Sequence, residues 1–306
     1  MKILLATEKS FAPVAVSSIG EVFDSAGFEF ILLENYKSKE LLLDAVSDID
    51  GLIVRSDLVT KEILEAAKKL KIVVRAGAGY DNIDLEACTA NKVIAMNTPG
   101  QNSNAVAELV FAMLLHHIRG GFNGKMGTEL RGKSIGLHAF GNVSKLVVEI
   151  AKGFSMYVYA YDPFIPDTDI RKYGIKVLKR AEEMYRICHF VSIHLPLNNA
   201  TRKSVGYDLL SKMPSPAIIV NTARKELIDE DGLIRIFEER PDMVYLSDVE
   251  PECSNIFKEK YKGRYLFTAK KMGAQTEEAN INAGVAAARQ IVDYFINGNE
   301  TFRINK

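Results

Sequence analysis

The sequence lacks the features that mark secreted, metal-stabilised or membrane proteins. Its three cysteines, Cys88, Cys188 and Cys253, are widely spaced and odd in number, so they form neither a disulfide framework nor a zinc-ligand spacing. We therefore expect no metal and a reducing, cytoplasmic location. No apolar run reaches the roughly 18 residues that span a bilayer, and the opening MKILLATEKS lacks the apolar core of a signal peptide.

Excess charge of either sign is also absent. The 39 Lys and Arg residues equal the 39 Asp and Glu residues, which gives a formal net charge of zero. A balanced chain has no general attraction for nucleic acid or for an anionic membrane surface. We expect no such partner, and any charged small molecule must be recognised by a few local side chains.

What the chain does have is a regular alternation of short apolar runs and helix-periodic segments. At 306 residues it is long for one hydrophobic core, so two domains are expected. Strands linked by crossover helices build parallel sheets, so the pattern predicts the α/β class with two doubly wound domains. The predicted strands are KILLA, FEFILLE, GLIVRS, KIVVRAG and VIAMN, followed by SIGLHAF, MYVYAYD, IKVL, FVSIHLP, AIIVNTA, MVYLSDV and YLFTA.

Two periodic segments predict how the chain passes between the domains. The break at 97–100 (Asn-Thr-Pro-Gly) precedes a helical pattern over 101–118, which we expect to cross from the first domain to the second. The last pattern, Ala279 to Phe295, adds one helix, which we expect to return to the first domain.

Residues 134–162 predict half of a dinucleotide-binding unit. The run from Ile135 to Phe140 predicts a buried strand, Gly141 opens a helix, and a second strand delivers Asp162. A helix N-terminus attracts a pyrophosphate, and an acid about 20 residues further on can bind the ribose hydroxyls of NAD. No arginine adjoins Asp162 to neutralise a 2′-phosphate, which favours NAD over NADP.

The glycine motif in this stretch is altered. Where G-x-G-x-x-G is expected, the chain reads Ala139-Phe140-Gly141-Asn142-Val143-Ser144 and keeps only the middle glycine. Alanine is tolerable at the first position if the turn there keeps φ negative. Taken alone, the stretch fits an ordinary βαβ unit as well as it fits a cofactor site.

Charged residues follow several predicted strands, at the edge where parallel α/β sheets bind ligands. Arg55, Arg75 and Arg224 each stand at or just after the end of an apolar run. An arginine in such a position is by default a solvated surface residue. Three at equivalent positions suit a small dianion that must be bound and polarised.

The motifs together resemble those of the D-isomer-specific 2-hydroxyacid dehydrogenases along essentially the whole chain. They are GLIVRS, RAGAGYDNIDLEA, MNTPGQNSNAVAELV, GTELRGK and VNTARKELIDEDGL. The resemblance implies two Rossmann-like domains with NAD in a cleft between them, and a homodimer. It implies a substrate-binding domain at 1–99 plus 277–306 and an NAD-binding domain at 100–276.

The resemblance also implies catalytic roles. Arg224 would hold the substrate carboxylate and carbonyl, and Asp248 would bind the nicotinamide carboxamide. The carboxylate that orients the acid/base residue falls on Glu252, with Glu250 as the alternative. The acid/base residue falls on Lys271 in place of the family's histidine, and none of the five histidines lies beyond residue 194.

Further contacts follow from the same resemblance and from the strand-end positions. The expected cofactor contacts are Gly141, Asn142, Val143, Asp162, His194, Pro196, Thr201, Thr222, Ala223, Asp248 and Gly273. The expected substrate contacts are Arg55, Ser56, Arg75, Gly77, Ala78, Gly79 and Asn102, with the N–H groups of 76–79 taking the carboxylate and the first two arginines taking a phosphate.

The implied activity is NAD-dependent oxidation of D-3-phosphoglycerate to 3-phosphohydroxypyruvate, which begins phosphorylated serine synthesis. One alternative is a broader reductase of hydroxypyruvate or glyoxylate, and another is an inactive NAD-sensing protein. Because the chain stops about one helix after GAQTEEA, we expect no serine-binding regulatory domain.

Overall fold

The computed structural model describes residues 1–305 and divides them into two compact units. Unit 1 comprises 1–102 with the segment from 275 onward, and unit 2 comprises 103–274. The division into a substrate-binding domain at 1–99 plus 277–306 and an NAD-binding domain at 100–276 stays a prediction. Within 1–305, no helix combines the length and the apolar character that crossing a bilayer requires.

Unit 1 is built on a five-stranded parallel sheet in the order β2-β1-β3-β4-β5. Its strands are β1 (Lys2–Thr7), β2 (Glu29–Glu34), β3 (Gly51–Val54), β4 (Ile72–Arg75) and β5 (Ile94–Asn97). Its helices are α1 (Pro13–Ser25), α2 (Lys39–Ala45), α3 (Lys61–Ala66), α4 (Leu85–Ala90), α12 (Glu277–Asn297) and a 3-10 turn at Val46–Asp48.

Unit 2 is built on a seven-stranded parallel sheet in the order β12-β11-β10-β9-β6-β7-β8. Its strands are β6 (Ser134–His138), β7 (Tyr157–Tyr161), β8 (Lys176–Val177), β9 (Phe190–Ile193), β10 (Ala217–Asn221), β11 (Met243–Ser247) and β12 (Tyr265–Phe267). Its helices are α5 (Ser103–Ile118), α6 (Asn142–Gly153), α7 (Asp167–Arg171), α8 (Ala181–Ile187), α9 (Tyr207–Leu210), α10 (Glu230–Glu239) and α11 (Ser254–Lys260), with 3-10 turns at Gly120–Phe122 and Lys225–Leu227.

The predicted fold class is confirmed. Each predicted apolar run forms a strand, because strands such as β6, β10 and β11 are buried along their whole length and carry continuous apolar runs. In unit 2 the chain runs from β6 to β8 in one direction along the sheet and from β9 to β12 in the other. The switch between β6 and β9 leaves a crevice at their carboxyl ends, where doubly wound sheets bind ligands.

The strand register sets the neighbours at this edge. His138 at the end of β6 pairs with Tyr161 of β7 and with Ile193 of β9. Asn221 of β10 pairs with Ile193 and with Ser247 of β11. The residues that follow these strand ends are therefore in line across the sheet, and they are Ala139, Asp162, His194, Thr222 and Asp248.

Helix α12 completes unit 1. The Thr276 hydroxyl accepts from the N–H of Ala279 to cap its start, and Gly298 ends it in the left-handed region at φ 69°. Its buried face packs with α1, and a side-chain carbon on Gly284 would lie 2.6 Å from Ile19 Cδ1. Ile291 on this face is fully buried.

We predict that Ile291→Ala lowers the free energy of unfolding by about 2–5 kcal/mol, because it leaves a cavity between α12 and the sheet of unit 1. The matched control is Ile296→Ala on the same helix, whose side chain is 61% exposed, and its effect should stay within about 0.5 kcal/mol. Urea denaturation measures both variants. Equal effects would contradict the packing of α12 described here.

Candidate active site

The turn after β6 differs from the expectation in one respect. Ala139 has φ +80°, in the left-handed region, so the condition under which alanine is tolerable at this position, a negative φ, is not met. An L-residue there costs roughly 1–2 kcal/mol, which is why glycine is common in this turn. The Ser144 hydroxyl, fully buried, donates to the Ala139 carbonyl at 2.7 Å and holds the strained residue in place.

Helix α6 begins at this turn without a side-chain cap. Gly141 is its N-cap residue, and a side-chain carbon built there would meet no atom within 4 Å. The 12-residue helix therefore has no side-chain cap for the N–H groups of its first turn, at Asn142 and Val143. These features fit a dinucleotide pyrophosphate, which needs free N–H donors and close backbone approach.

Asp162 follows β7 beside the same turn. One carboxylate oxygen accepts the Phe140 N–H at 2.7 Å, and the other accepts the N–H groups of Phe164 at 2.8 Å and Ile165 at 3.3 Å. The acid thus fixes both loops and keeps a lone pair for a ribose hydroxyl, since each oxygen can accept two bonds. A cavity of about 390 Å³ opens between Asp162 and Lys179.

Two buried polar atoms at the crevice have no hydrogen-bond partner among residues 1–305. They are Nε2 of His194, just after β9, and Oγ1 of Thr222, just after β10. Burial lowers the pKa of His194 to about 3 and that of neighbouring His138 to about 4. Both rings are therefore neutral near pH 7, so they can form hydrogen bonds but cannot act as general acids.

Arg224 is presented by a turn that Asn221 shapes. The buried Asn221 side chain donates to the Arg224 carbonyl at 2.9 Å and accepts the Ala223 N–H at 3.0 Å. Arg224 Nη1 donates to the Ala223 carbonyl at 3.0 Å. Sequence reasoning missed Asn221, although an asparagine side chain that bonds the backbone two residues further on is a known turn signal.

Lys271 meets Arg224 at the same carbonyl. Its Nζ donates to the carbonyls of Ala223 at 2.7 Å and Thr222 at 3.2 Å, and it lies 3.5 Å from Asp248 Oδ2. The pKa of Lys271 is lowered, chiefly by desolvation and further by Arg224, while Asp248 and Glu226 oppose the shift. The two cations are therefore neighbours, and the amine loses its proton more readily than an ordinary lysine does.

Asp248 is the buried centre of this group. Its carboxylate, 1% exposed, accepts the Met272 N–H at 2.7 Å and the Gly273 N–H at 2.9 Å, which folds the loop after β12 onto the end of β11. A side-chain carbon on Gly273 would lie 2.7 Å from Asp248 Oδ2, so glycine is needed for this approach. Asp248 thereby sets where Lys271 stands.

The structure does not bring the predicted carboxylate to Lys271. The Glu252 side chain is 79% exposed and pairs with Lys225 at 3.2 Å, and Glu250 pairs with Lys258. Glu230 accepts the N–H groups of Glu252 and Cys253, just before α11 begins at Ser254. The carboxylate beside Lys271 is that of Asp248. In this structure Glu252 does not pair with the Lys271 amine, contrary to the expectation from the family resemblance.

In unit 1, two of the predicted arginines are linked. Arg75 Nε donates to the Arg55 carbonyl at 2.9 Å, and Arg55 Nη2 donates to Gln275 at 3.1 Å. A side-chain carbon at Gly77, whose φ is +152°, would lie 2.0 Å from Arg75 Nη1. Gly77 is thus required so that the Arg75 guanidinium can fold over its own loop.

Two of the four main-chain N–H groups at 76–79, which were predicted to bind the substrate carboxylate, already have acceptors within the protein. The Ala76 N–H donates to Val54 at 2.8 Å, and the Gly77 N–H donates to the Thr98 hydroxyl at 2.7 Å. Ala78 and Gly79 follow in the same turn, which Asn97 braces by donating to the Ala78 carbonyl at 2.6 Å. The expectation of four donors was too large, because two are used by strand and loop partners.

The other predicted positions lie on loops or at helix starts. Thr201 donates its hydroxyl to the Pro196 carbonyl at 2.6 Å, so it shapes the loop after β9. Ser56 follows Arg55 after β3 and is exposed, and Asn102 directly precedes α5.

The chain was compared with known protein families and with solved structures. The family model described as D-isomer specific 2-hydroxyacid dehydrogenase, catalytic domain, matches residues 5–305. A solved structure of 3-phosphoglycerate dehydrogenase from Entamoeba histolytica with bound NAD+ is 49% identical, with a TM-score of 0.90, and the match covers 100% of this chain and 99% of that one.

The curated relatives carry two different names. D-3-phosphoglycerate dehydrogenase of Methanocaldococcus jannaschii is 36% identical over 275 residues, which cover 83% of this chain and 51% of that protein. Hydroxypyruvate reductase of Thermotoga maritima is 33% identical, covering 86% of this chain and 90% of that protein. The chain thus spans about half the length of the M. jannaschii enzyme and 54% of its rat counterpart, which is 32% identical over 89% of this chain.

We predict that Ala139→Gly raises the free energy of unfolding by about 0.5–1 kcal/mol, because glycine removes the left-handed strain at the cost of a more flexible unfolded chain. Ala286→Gly, inside α12, is the control and should lower it by about 1 kcal/mol. Urea denaturation compares them. A loss of stability in Ala139→Gly would show that the turn does not strain alanine.

Proposed function

The chain belongs to the D-isomer specific 2-hydroxyacid dehydrogenase family, and we propose that it interconverts D-3-phosphoglycerate and 3-phosphohydroxypyruvate with NAD as cofactor. In the oxidising direction this reaction begins phosphorylated serine synthesis. The observation that carries the proposal is the pair of cations, Arg224 and Lys271, that share the Ala223 carbonyl beside buried Asp248. The likeness to the NAD+-bound enzyme of E. histolytica supports it.

Arg224 and Lys271 have complementary tasks in this reaction. A planar guanidinium can grip the carboxylate of a 2-oxo acid and polarise the neighbouring carbonyl. In reduction, the Lys271 ammonium gives one proton to the oxygen while the carbonyl carbon gains a hydride. In oxidation, the neutral amine takes the hydroxyl proton as the C–H bond breaks.

The proposed cofactor-binding residues lie in the altered glycine motif and at the carboxyl edge of the sheet of unit 2. The uncapped start of α6 would bind the pyrophosphate, and Asp162 would bind the ribose. The unpartnered atoms of His194 and Thr222 would bind polar groups of the nucleotide. When bound, NAD supplies the hydride acceptor. Gly141 leaves the space that this approach needs.

Lys271 is proposed as the acid/base residue with Asp248 as its positioning carboxylate. Asp248 folds the loop that bears the amine and favours its charged form, whereas desolvation and Arg224 favour the neutral form. The amine can therefore work in both directions near its lowered pKa. Glu252 retains a role only if it moves from Lys225 when substrate binds.

The substrate's phosphate is assigned to unit 1. Arg55 and Arg75, joined through the Arg55 carbonyl, place two positive side chains at neighbouring strand ends. The N–H groups of Ala78 and Gly79 suit a carboxylate. An unphosphorylated 2-oxo acid as the main substrate is the second candidate, which the T. maritima relative favours because its length is similar.

We also propose a homodimer and a cytoplasmic location. Residues 119–129 are exposed in the single chain, with Phe122 at 70% and Met126 fully uncovered, so they suit a contact with a second copy. All three cysteines are buried and free, which fits a reducing compartment.

We predict that the oxidation rate rises with pH along a limb whose midpoint lies below 10.5, the ordinary lysine value, because the neutral amine is the active form and the pKa of Lys271 is lowered. Reduction needs the ammonium, so it should fall through the same midpoint. Lys271→Ala should slow turnover roughly 10²–10⁴-fold, as expected for loss of an acid/base group. Initial rates in both directions across pH measure this.

Lys270→Ala is the matched control, since Lys270 is the adjacent exposed lysine and the bonds to the Ala223 carbonyl and to Asp248 are made by Lys271. It should keep the profile of the unmodified protein. If Lys271→Ala kept both the rate and the pH limb, the amine would have no part in proton transfer.

We predict that NADH oxidation is faster with 3-phosphohydroxypyruvate than with hydroxypyruvate, by roughly tenfold or more in kcat/KM, as charge-assisted bonds to a phosphate would give. Arg75→Ala should abolish most of this preference. Arg289→Ala, an exposed arginine of the same unit, should retain it.

Equal rates with both substrates would favour the broader reductase. Calorimetric binding of NAD without turnover of either substrate would favour the cofactor-sensing protein instead.

A further inference from the structure

Asp57 is a buried acid that the reaction described above does not use. It lies two residues after Arg55, just beyond β3, and is only 5% exposed. Burying a carboxylate is costly unless several donors satisfy it. The donors around Asp57 are therefore the evidence for what it does.

These donors come from separate strand-end loops. Oδ1 accepts the Glu8 N–H, beyond β1, at 2.6 Å and the Tyr36 hydroxyl, beyond β2, at 2.8 Å. Oδ2 accepts the Arg55 N–H at 3.2 Å, and the Asp57 carbonyl accepts from Asn82, beyond β4, at 2.7 Å. One residue thus joins the loops after four strands of unit 1.

The two carboxylate oxygens have different partners. Oδ1 serves the loops after β1 and β2, whereas Oδ2 serves the turn of Arg55. Burial, together with the bond to Asp57, raises the pKa of Tyr36, so its hydroxyl stays a donor at every physiological pH. A substitution that changes only Oδ2 can therefore remove the bond to the Arg55 N–H while the bonds of Oδ1 to Glu8 and Tyr36 stay.

The bond to Oδ2 reaches both phosphate-binding arginines. Arg55 is held at its N–H by Asp57, and its carbonyl in turn accepts from Arg75 Nε at 2.9 Å. Loss of the first bond frees the turn on which the second depends. Asp57 Oδ2 therefore fixes the Arg55 main chain and, through the Arg55 carbonyl, one nitrogen of the Arg75 guanidinium, while Gln275 holds the Arg55 guanidinium itself.

We propose that Asp57 is a positioning residue that sets specificity for the phosphorylated substrate, by fixing the Arg55 turn and through it the Arg75 guanidinium. This inference rests on the proposed function, since it concerns the phosphate end of that substrate. Asp57 contacts no reacting atom, so the chemical step should not depend on it.

The test is Asp57→Asn, assayed as NADH oxidation with 3-phosphohydroxypyruvate and with hydroxypyruvate. The amide oxygen can keep the bonds of Oδ1, while its NH2 group faces the Arg55 N–H, where two donors cannot pair. We expect the KM for the phosphorylated substrate to rise roughly tenfold, as for loss of one hydrogen bond to a functional turn. The kcat, the KM for hydroxypyruvate and the KM for NADH should stay within about twofold.

Tyr36→Phe is the matched control. It removes a donor to Oδ1 but leaves the bond between Oδ2 and Arg55, so the KM for the phosphorylated substrate should not change even if the melting temperature falls. An equal rise in KM in Tyr36→Phe would make Asp57 part of a general scaffold and overturn the proposal. Unchanged kinetics in Asp57→Asn, or equal losses with both substrates, would overturn it too.

Asp57→Ser, with a smaller acceptor, is the second variant if the asparagine variant does not fold, and the same rise in KM is expected. Failure of both to fold would make Asp57 a folding requirement and contradict a role in specificity.

If the unmodified protein turned over neither substrate, the proposed function would fail instead. Calorimetric binding of 3-phosphoglycerate would then compare the unmodified protein with Asp57→Asn, and a roughly tenfold weaker binding would still support the role of Asp57.

Discussion

The buried carboxylate of Asp248 is the constraint on which the arrangement in unit 2 depends. It stands just after β11 and accepts main-chain N–H groups from the loop after β12, so its buried charge is satisfied by backbone donors. Because that loop carries Lys271, the carboxylate places an ammonium beside the Arg224 turn. The absence of a side chain at Gly273 is what allows the loop to come so close. A single acid thereby fixes the loop's path and favours the charged form of the amine, against the desolvation that lowers the pKa of Lys271.

The turn after β6 shows how an altered glycine motif can keep its shape. Ala139 adopts a left-handed φ that alanine disfavours, and the Ser144 hydroxyl holds its carbonyl from the first turn of α6. The middle glycine is retained at the position where the space above the helix is open. Two of the three motif positions can therefore change, provided that the one facing open space stays glycine and a local hydrogen bond supports the strained residue.

The sequence predicted the strands and their carboxyl-end residues well, because buried parallel strands require continuous apolar runs and the sheet edge gathers whatever follows them. It failed where partners are distant in the chain. The N–H of Gly77 donates to Thr98, and Glu252 pairs with Lys225 while Glu230 accepts its main-chain N–H. The φ of Ala139 also depends on the strand and helix that it joins. Spacing alone contains none of these three facts.

The state of the Lys271 amine tests this account most directly. Nuclear magnetic resonance of 13C-labelled lysine, with the Lys271 signal assigned by its loss in Lys271→Arg, can follow its titration. We predict a pKa below the ordinary 10.5, and a further decrease in Asp248→Asn, since Asp248 favours the charged form and desolvation opposes it. A Lys271 signal that titrates at the ordinary value and does not respond to Asp248→Asn would contradict the central role given to this carboxylate.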